Sequence, residues 1–144
     1  MQKTYWRPSV WQSLNNPWNI LSTGTNIQTL GATGEIQHTN WYKYLKFATP
    51  LDGFRAMKKL LTSDAYKNLT VADAMRKWTW SKNPVHLKVI QQYLPSILNK
   101  KISELNSNEL KTLLVLMAKS EWYFNNMSQE QKQQILRDLY NNNL

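Results

Sequence analysis

The sequence predicts a mainly α fold (α+β), with about five helices and one small β-hairpin. Three observations lead there: five apolar stripes at helical spacing beyond residue 49, a short aromatic stretch rich in strand formers just before it, and no period of either kind over residues 1–33. The 144 residues, 42% of them hydrophobic, suit a single domain, 1–144, long enough to bury a core without covalent staples. Within it, residues 1–48 read as an irregular and hairpin lobe and residues 49–144 as a helical lobe.

The first lobe is marked by turn formers: Asn15-Asn16-Pro17, Thr23-Gly24-Thr25 and Gly31-Ala32-Thr33-Gly34. A residue before proline is biased away from the helical region, so 15–17 reads as a turn or extended corner. Glu35–Thr39 and Trp41–Phe47 read as two strands turning near Asn40. The first helix then has strong start signals. Thr49 is a natural N-cap, Pro50 takes the first helical position, and Asp52 lies in the first turn, where the dipole favours negative charge. Its stripe is Phe54, Met57, Leu60 and Leu61. Thr70 with Asp73 opens the second helix, striped by Val71, Ala74, Met75 and Trp78. Asn83-Pro84 opens the third, with Leu87, Ile90 and Leu94 inward, and Pro95 ends it because it removes a donor and clashes with the preceding turn. Asn106 or Ser107 caps the fourth, whose face of Leu110, Leu113, Leu114 and Met117 is the most apolar and therefore central. Ser128 with Gln131 opens the fifth, carried by Ile135, Leu136, Leu139 and Tyr140.

Composition excludes several function classes. There is no phosphate loop, metal-ligand cluster or nucleophile motif, and the absence of cysteine removes disulfides and thiolate sites. We therefore expect no metal and no cofactor. No run is long enough to span a bilayer, so no transmembrane segment is expected; Met1–Pro8 is charged without an apolar core, unlike a secretory signal. The net charge is +9, and residues 1–63 hold only Glu35 and Asp52 against seven lysines and arginines. Such a field attracts nucleic acid, anionic lipid, teichoic acid or an acidic protein surface. The scatter of the lysines along the chain weakens the nucleic-acid case. Four of the seven tryptophans, Trp6, Trp11, Trp18 and Trp41, precede the helical part. They read as interface anchors or as the core of a loop-rich lobe. His38 and His86 have no motif around them and read as surface or turn residues.

Glycan cleavage needs an acid of raised pKa and often a second carboxylate across the bond. Glu121, following an apolar helix and flanked by Trp122, Tyr123 and Phe124, is the candidate catalytic acid; Glu35, at the start of the hairpin, is the candidate second carboxylate. In lysozyme-like folds a helix-end glutamate faces a small sheet, and this chain has both elements. The competing structural reading bonds Glu121 to Asn19 or Arg55 and leaves Glu35 solvated. Arg55, set between apolar helix positions, reads as a buried cation that pins the Asn15–Ile20 corner to its helix.

Two segments, Asn15-Asn16-Pro17-Trp18-Asn19-Ile20 and the run from Phe47 to Leu61 (FATPLDGFRAMKKLL), resemble a pattern of small phage virion structural proteins. There an N-N-P-G-N-I stretch precedes F-D-S-P-E-x-G-x-R-A-M-x-x-L-L. Leu69–Trp78 is similar to that family's T-V-x-x-I-I-x-R-W helix, Ser81–Pro84 stands in the place of its A-P-P-S-E-N loop, His86–Tyr93 is similar to the segment that follows, and Leu116–Trp122 stands where it has I-I-x-H-E-N-G. Trp18 replaces the family's glycine, so the turn should differ or open outward. Ser120 replaces its histidine and Trp122-Tyr123 its Asn-Gly, departures that argue against efficient catalysis there. Ser120–Asn125 also has two or three letters in common with the Glu-Ser-x-Phe signature of lytic transglycosylases, in another order. The resemblance implies structural roles for Asn16, Pro17, Asn19, Arg55 and Trp78, localisation in the virion, other virion proteins as partners, and bacterial cell-wall glycan as a further partner. Its alternatives are a virion-associated peptidoglycan hydrolase and a basic nucleic-acid-binding accessory protein.

Overall fold

The computed structural model describes residues 13–37 and 42–144. Among them the fold is mainly α, with six α-helices and a two-stranded antiparallel hairpin. In chain order the elements are α1 (Asn26–Thr29), β1 (Gly34–Gln37), β2 (Lys43–Lys46), α2 (Pro50–Leu61), α3 (Val71–Thr79), α4 (Val85–Tyr93), α5 (Ser107–Ser120) and α6 (Gln129–Asn141), with 3-10 turns at Pro95–Ile97 and Ile102–Glu104. The chain falls into two compact units. One holds the described residues up to Ala56 together with Glu121–Leu144; the other is Met57–Ser120. The last helix thus groups with the hairpin, and the first turns of α2 do so as well.

In the first unit, α1 is an addition to the sequence reading. It is a single turn that buries none of its residues, too short for an apolar stripe to register. β1 begins one residue earlier than expected and β2 is shorter than expected, with Gly34 opposite Lys46 and Ile36 opposite Tyr44; the end expected for β1 at Thr39 and the turn expected near Asn40 lie outside the described residues. Leu21 bridges Tyr44 from the other edge of β2. There the Ser22 N–H donates to the Lys43 carbonyl (2.8 Å) and the Leu45 N–H to the Ile20 carbonyl (3.0 Å). Helix α2 starts where Thr49 accepts the Asp52 N–H at 3.2 Å. In α6, Ser128 and Gln131 form the reciprocal cap, Leu139 is buried, and Tyr140 is exposed, so the inward stripe is narrower than expected.

The Asn15–Ile20 corner is a buried construction. Asn16 is fully enclosed; its Nδ2 donates to the carbonyls of Ile20 (3.0 Å) and Leu45 (2.9 Å), and its Oδ1 accepts the Ile20 N–H (2.9 Å). The left-handed positions are Asn15 (φ 51°) and Asn19 (φ 53°), the residue type besides glycine that best tolerates them. Trp18 is buried completely, in a core with Leu14, Ile20, Leu45, Phe47 and Phe54. Two expectations are corrected here. The turn does not open outward at Trp18, because the left-handed strain falls on the flanking asparagines. Nor does Arg55 pin the corner: it is exposed and pairs with Asp52 at 3.1 Å. The corner lies on α2 at Gly53, where an added Cβ would come within 2.6 Å of Pro17 Cδ and overlap the Asn15 carbonyl oxygen. Arg55, two residues on, stands about 200° around the helix from that contact.

In the second unit, Thr70 caps α3 by accepting the Asp73 N–H (3.2 Å), and Val71, Ala74 and Met75 are fully buried while Trp78 is half-buried. Helix α4 turns His86 and Ile90 inward, one helical turn apart, and leaves Leu87 half-buried. His86 is 3% exposed, which corrects its reading as a surface or turn residue. Pro95 ends the helix as expected, after Leu94 at φ −151°. Asn106 is the cap of α5, exchanging bonds of 2.8 and 3.0 Å with Glu109. Leu113, Leu114, Leu116, Met117 and Ala118 are all buried, so α5 is enclosed on more than one face, and it packs on α4.

Candidate functional site

Glu121 follows directly on α5. The Ser120 hydroxyl donates back to the Leu116 carbonyl (2.8 Å), and Trp122 takes a left-handed φ of 65°, which turns the chain away from the helical path. The half-buried carboxylate accepts a hydrogen bond at 2.9 Å from Nδ2 of Asn19, a residue of the corner. Tyr44 lies close enough for the Glu121 charge to act on it. Burial pushes the Tyr44 phenol upward, and Tyr42 and Glu121 add to that shift. Next to Glu121, Tyr123 is buried, edge-on to Phe54 (6.2 Å between ring centres) and to Phe124 (5.2 Å). Its burial raises the phenol far above its usual range and keeps it protonated.

The pleat decides what else faces this place. Leu21 and Ile36 are the cross-strand partners of Tyr44, so the three side chains form one row on one face of the sheet. Tyr42 stands just before β2 and adds to the rise of the Tyr44 phenol. Leu21, Ile36 and Tyr42 are all exposed, as is Trp122. These exposed apolar side chains all belong to the unit that also holds the Asn19–Glu121 pair. Exposed rings of this kind can hold the flat face of a ligand.

Glu35 is on the opposite face. It stands across from Leu45, and it accepts a hydrogen bond from the Ser22 hydroxyl and an ion pair from Lys43 (3.3 Å), both on that same face by alternation. The Ser22 hydroxyl first, and then Lys43, hold its pKa below the ordinary value. The pleat therefore separates Glu35 from Tyr44, the residue on which Glu121 acts, and does not gather the two carboxylates on one side.

Of the remaining expected site residues, Asn16, Pro17 and Asn19 belong to the corner and Trp78 to α3. Trp18 is a core residue and is removed from the contact surface. Trp6, Trp11, Trp41 and His38 lie outside the described residues. Sequence reasoning missed the row of Leu21, Tyr44 and Ile36. The paired tyrosines at 42 and 44 were a period-two signal for it, but the partner strands could not be named without the register. Among the described residues no three His, Asp or Glu side chains group as metal ligands, and no helix is long and apolar enough to cross a membrane. No family model, curated protein or solved structure matches the chain.

Proposed function

We propose that this chain is a structural component of a phage particle that works through contacts with other virion proteins and carries a lobe able to hold bacterial cell-wall glycan. The observation that supports it is the convergence of three segments that carry the family resemblance. The Asn15–Ile20 corner rests on Gly53 of the second segment, and Asn19 holds Glu121 of the last. The likeness thus falls on a shared piece of architecture. The exposed Tyr42 and Trp122 favour glycan contact as the role of the lobe, since rings suit sugar faces. The hydrolase alternative is disfavoured because Glu35, the candidate second carboxylate, is held by the Ser22 hydroxyl and Lys43 on the sheet face opposite Tyr44, and is not gathered with Glu121 across one site.

Quantitative mass spectrometry of purified particles should find the chain at a fixed copy number; its absence from intact particles would sink the proposal. A zymogram of the purified chain against peptidoglycan should show no clearing. Robust lysis that is lost in Glu121→Gln at unchanged melting temperature would install the hydrolase reading instead.

A further inference from the structure

Trp80 is 95% exposed, far beyond any other large apolar side chain among the described residues. It closes α3 at φ 57°, a left-handed conformation that disfavours bulky residues. The loop around it is nonetheless well held. The N–H groups of Trp80 and Ser81 both reach the Arg76 carbonyl, Arg76 Nε donates to the Lys82 carbonyl (3.0 Å), and the Asn83 N–H reaches the Ser81 hydroxyl (3.3 Å). An indole is thus fixed outward on an ordered loop, with no packing to show for the strain. Arg76 also walls a shallow groove of about 700 Å³, where Lys88, Gln91 and Asn99 offer donors beside Leu87 and Leu98, and no carboxylate lines it.

Charge points the same way. The unit Met57–Ser120 holds eleven lysines and arginines against four acids. All four acids are engaged: Asp64 by Lys67 (2.8 Å), Asp73 by Arg76 (2.8 Å), Glu109 by Lys100 (2.9 Å), and Glu104 by the Lys101 N–H (2.7 Å). Lys82 and Lys88 are exposed and make no ion pair among the described residues.

We infer that the Trp80 loop and the adjoining groove bind a single-stranded polynucleotide, a base stacking on the indole and phosphates lying on Lys82, Lys88 and Arg76. A stacking platform beside a cationic groove is the arrangement that holds unpaired strands. Bases inside a duplex present no free face to a projecting ring. An acidic protein surface fits less well, because interface anchors sit in an apolar patch, and Trp80 projects from a loop whose next residues, Ser81, Lys82 and Asn83, are polar and exposed. This surface is independent of the particle assignment.

The test is fluorescence anisotropy of the full chain with labelled oligo(dT) and oligo(rU) of about 20 nucleotides, titrated across salt from about 50 mM to 200 mM. At least one strand should bind. Trp80→Ala should weaken binding about tenfold with the salt slope unchanged, and Trp80→Phe should stay within about threefold. Lys82→Gln and Lys88→Gln should each make the slope of log K against log salt shallower by about 0.7. No binding of either strand at the lowest salt overturns the inference. So does unchanged affinity in Trp80→Ala. Competition by polyglutamate at equal charge concentration also overturns it and assigns the surface to an acidic protein.

Discussion

At Gly53 the corner and the helix approach so closely that a single methyl group cannot be added without moving backbone. The obstacle is the Asn15 carbonyl and the Pro17 ring, neither of which is the free end of a flexible side chain. Gly53→Ala is therefore expected to lower stability by about 3 kcal/mol, read as a shift in the urea midpoint by tryptophan fluorescence. Arg55→Ala serves as the control. Its exposed pair with Asp52 should contribute less than about 1 kcal/mol. Equal losses in the two variants would show that the corner is anchored elsewhere. Asn16 explains why the corner keeps its shape once seated: its side chain bonds three buried backbone groups, the Ile20 N–H and the carbonyls of Ile20 and Leu45.

Four of the six described helices begin where a side chain satisfies an orphan N–H. Thr49, Thr70, Asn106 and Ser128 each accept an N–H three residues on, and Pro95 removes the donor that would continue α4. The C-terminus of α3 breaks this economy, since a left-handed position suited to glycine holds Trp80. Relief of left-handed strain is worth about 1–2 kcal/mol, and the added freedom of glycine in the unfolded chain takes back about 0.5–1 kcal/mol. Because Trp80 buries almost nothing, Trp80→Gly should raise stability by about 0.5–1 kcal/mol and abolish the stacking contribution to strand binding. A lower melting temperature in that variant would mean that the indole has a packing role.

Over the whole molecule, the carboxylates set the acid limit. Glu35, Asp64 and Glu109 all titrate below their ordinary values: Glu35 mainly through the Ser22 hydroxyl, Asp64 through Lys67, and Glu109 through the Asn106 N–H and then Lys100. Each binds its proton less readily folded than unfolded. The stability they contribute is complete above the unfolded carboxylate range and is lost as pH falls through the depressed folded values. Tyr44, Tyr66 and Tyr123 act at the other end. Burial raises their phenols, so their share is complete below the unfolded phenol value of about 10 and is lost as pH rises beyond it. Melting temperature should hold a plateau and fall below about pH 5 and above about pH 10. Glu35→Gln should flatten the acid limb, and an acid limb unchanged in that variant would remove Glu35 from this account.

The sequence by itself determined five of the six described helices, the hairpin before them, their order and most of their caps. These rest on local physics: a hydroxyl three residues before the N–H it accepts, a proline that removes a donor, and apolar residues repeating with the helical turn. It also marked the Asn15–Ile20 corner and the helix at 50–61 as partners, and offered Asn19 as a partner of Glu121. The tertiary structure decided which atoms meet. Gly53 and not Arg55 receives the corner, because the closest approach of two backbones depends on which side of the helix faces in. Trp18 is core, although the same residue on a turn could as well have faced outward. His86 points inward because the buried face of α4 is set by what packs against it. Glu35 and Tyr44 part company because strand register, fixed only by pairing with a distant segment, assigns each side chain to one face or the other.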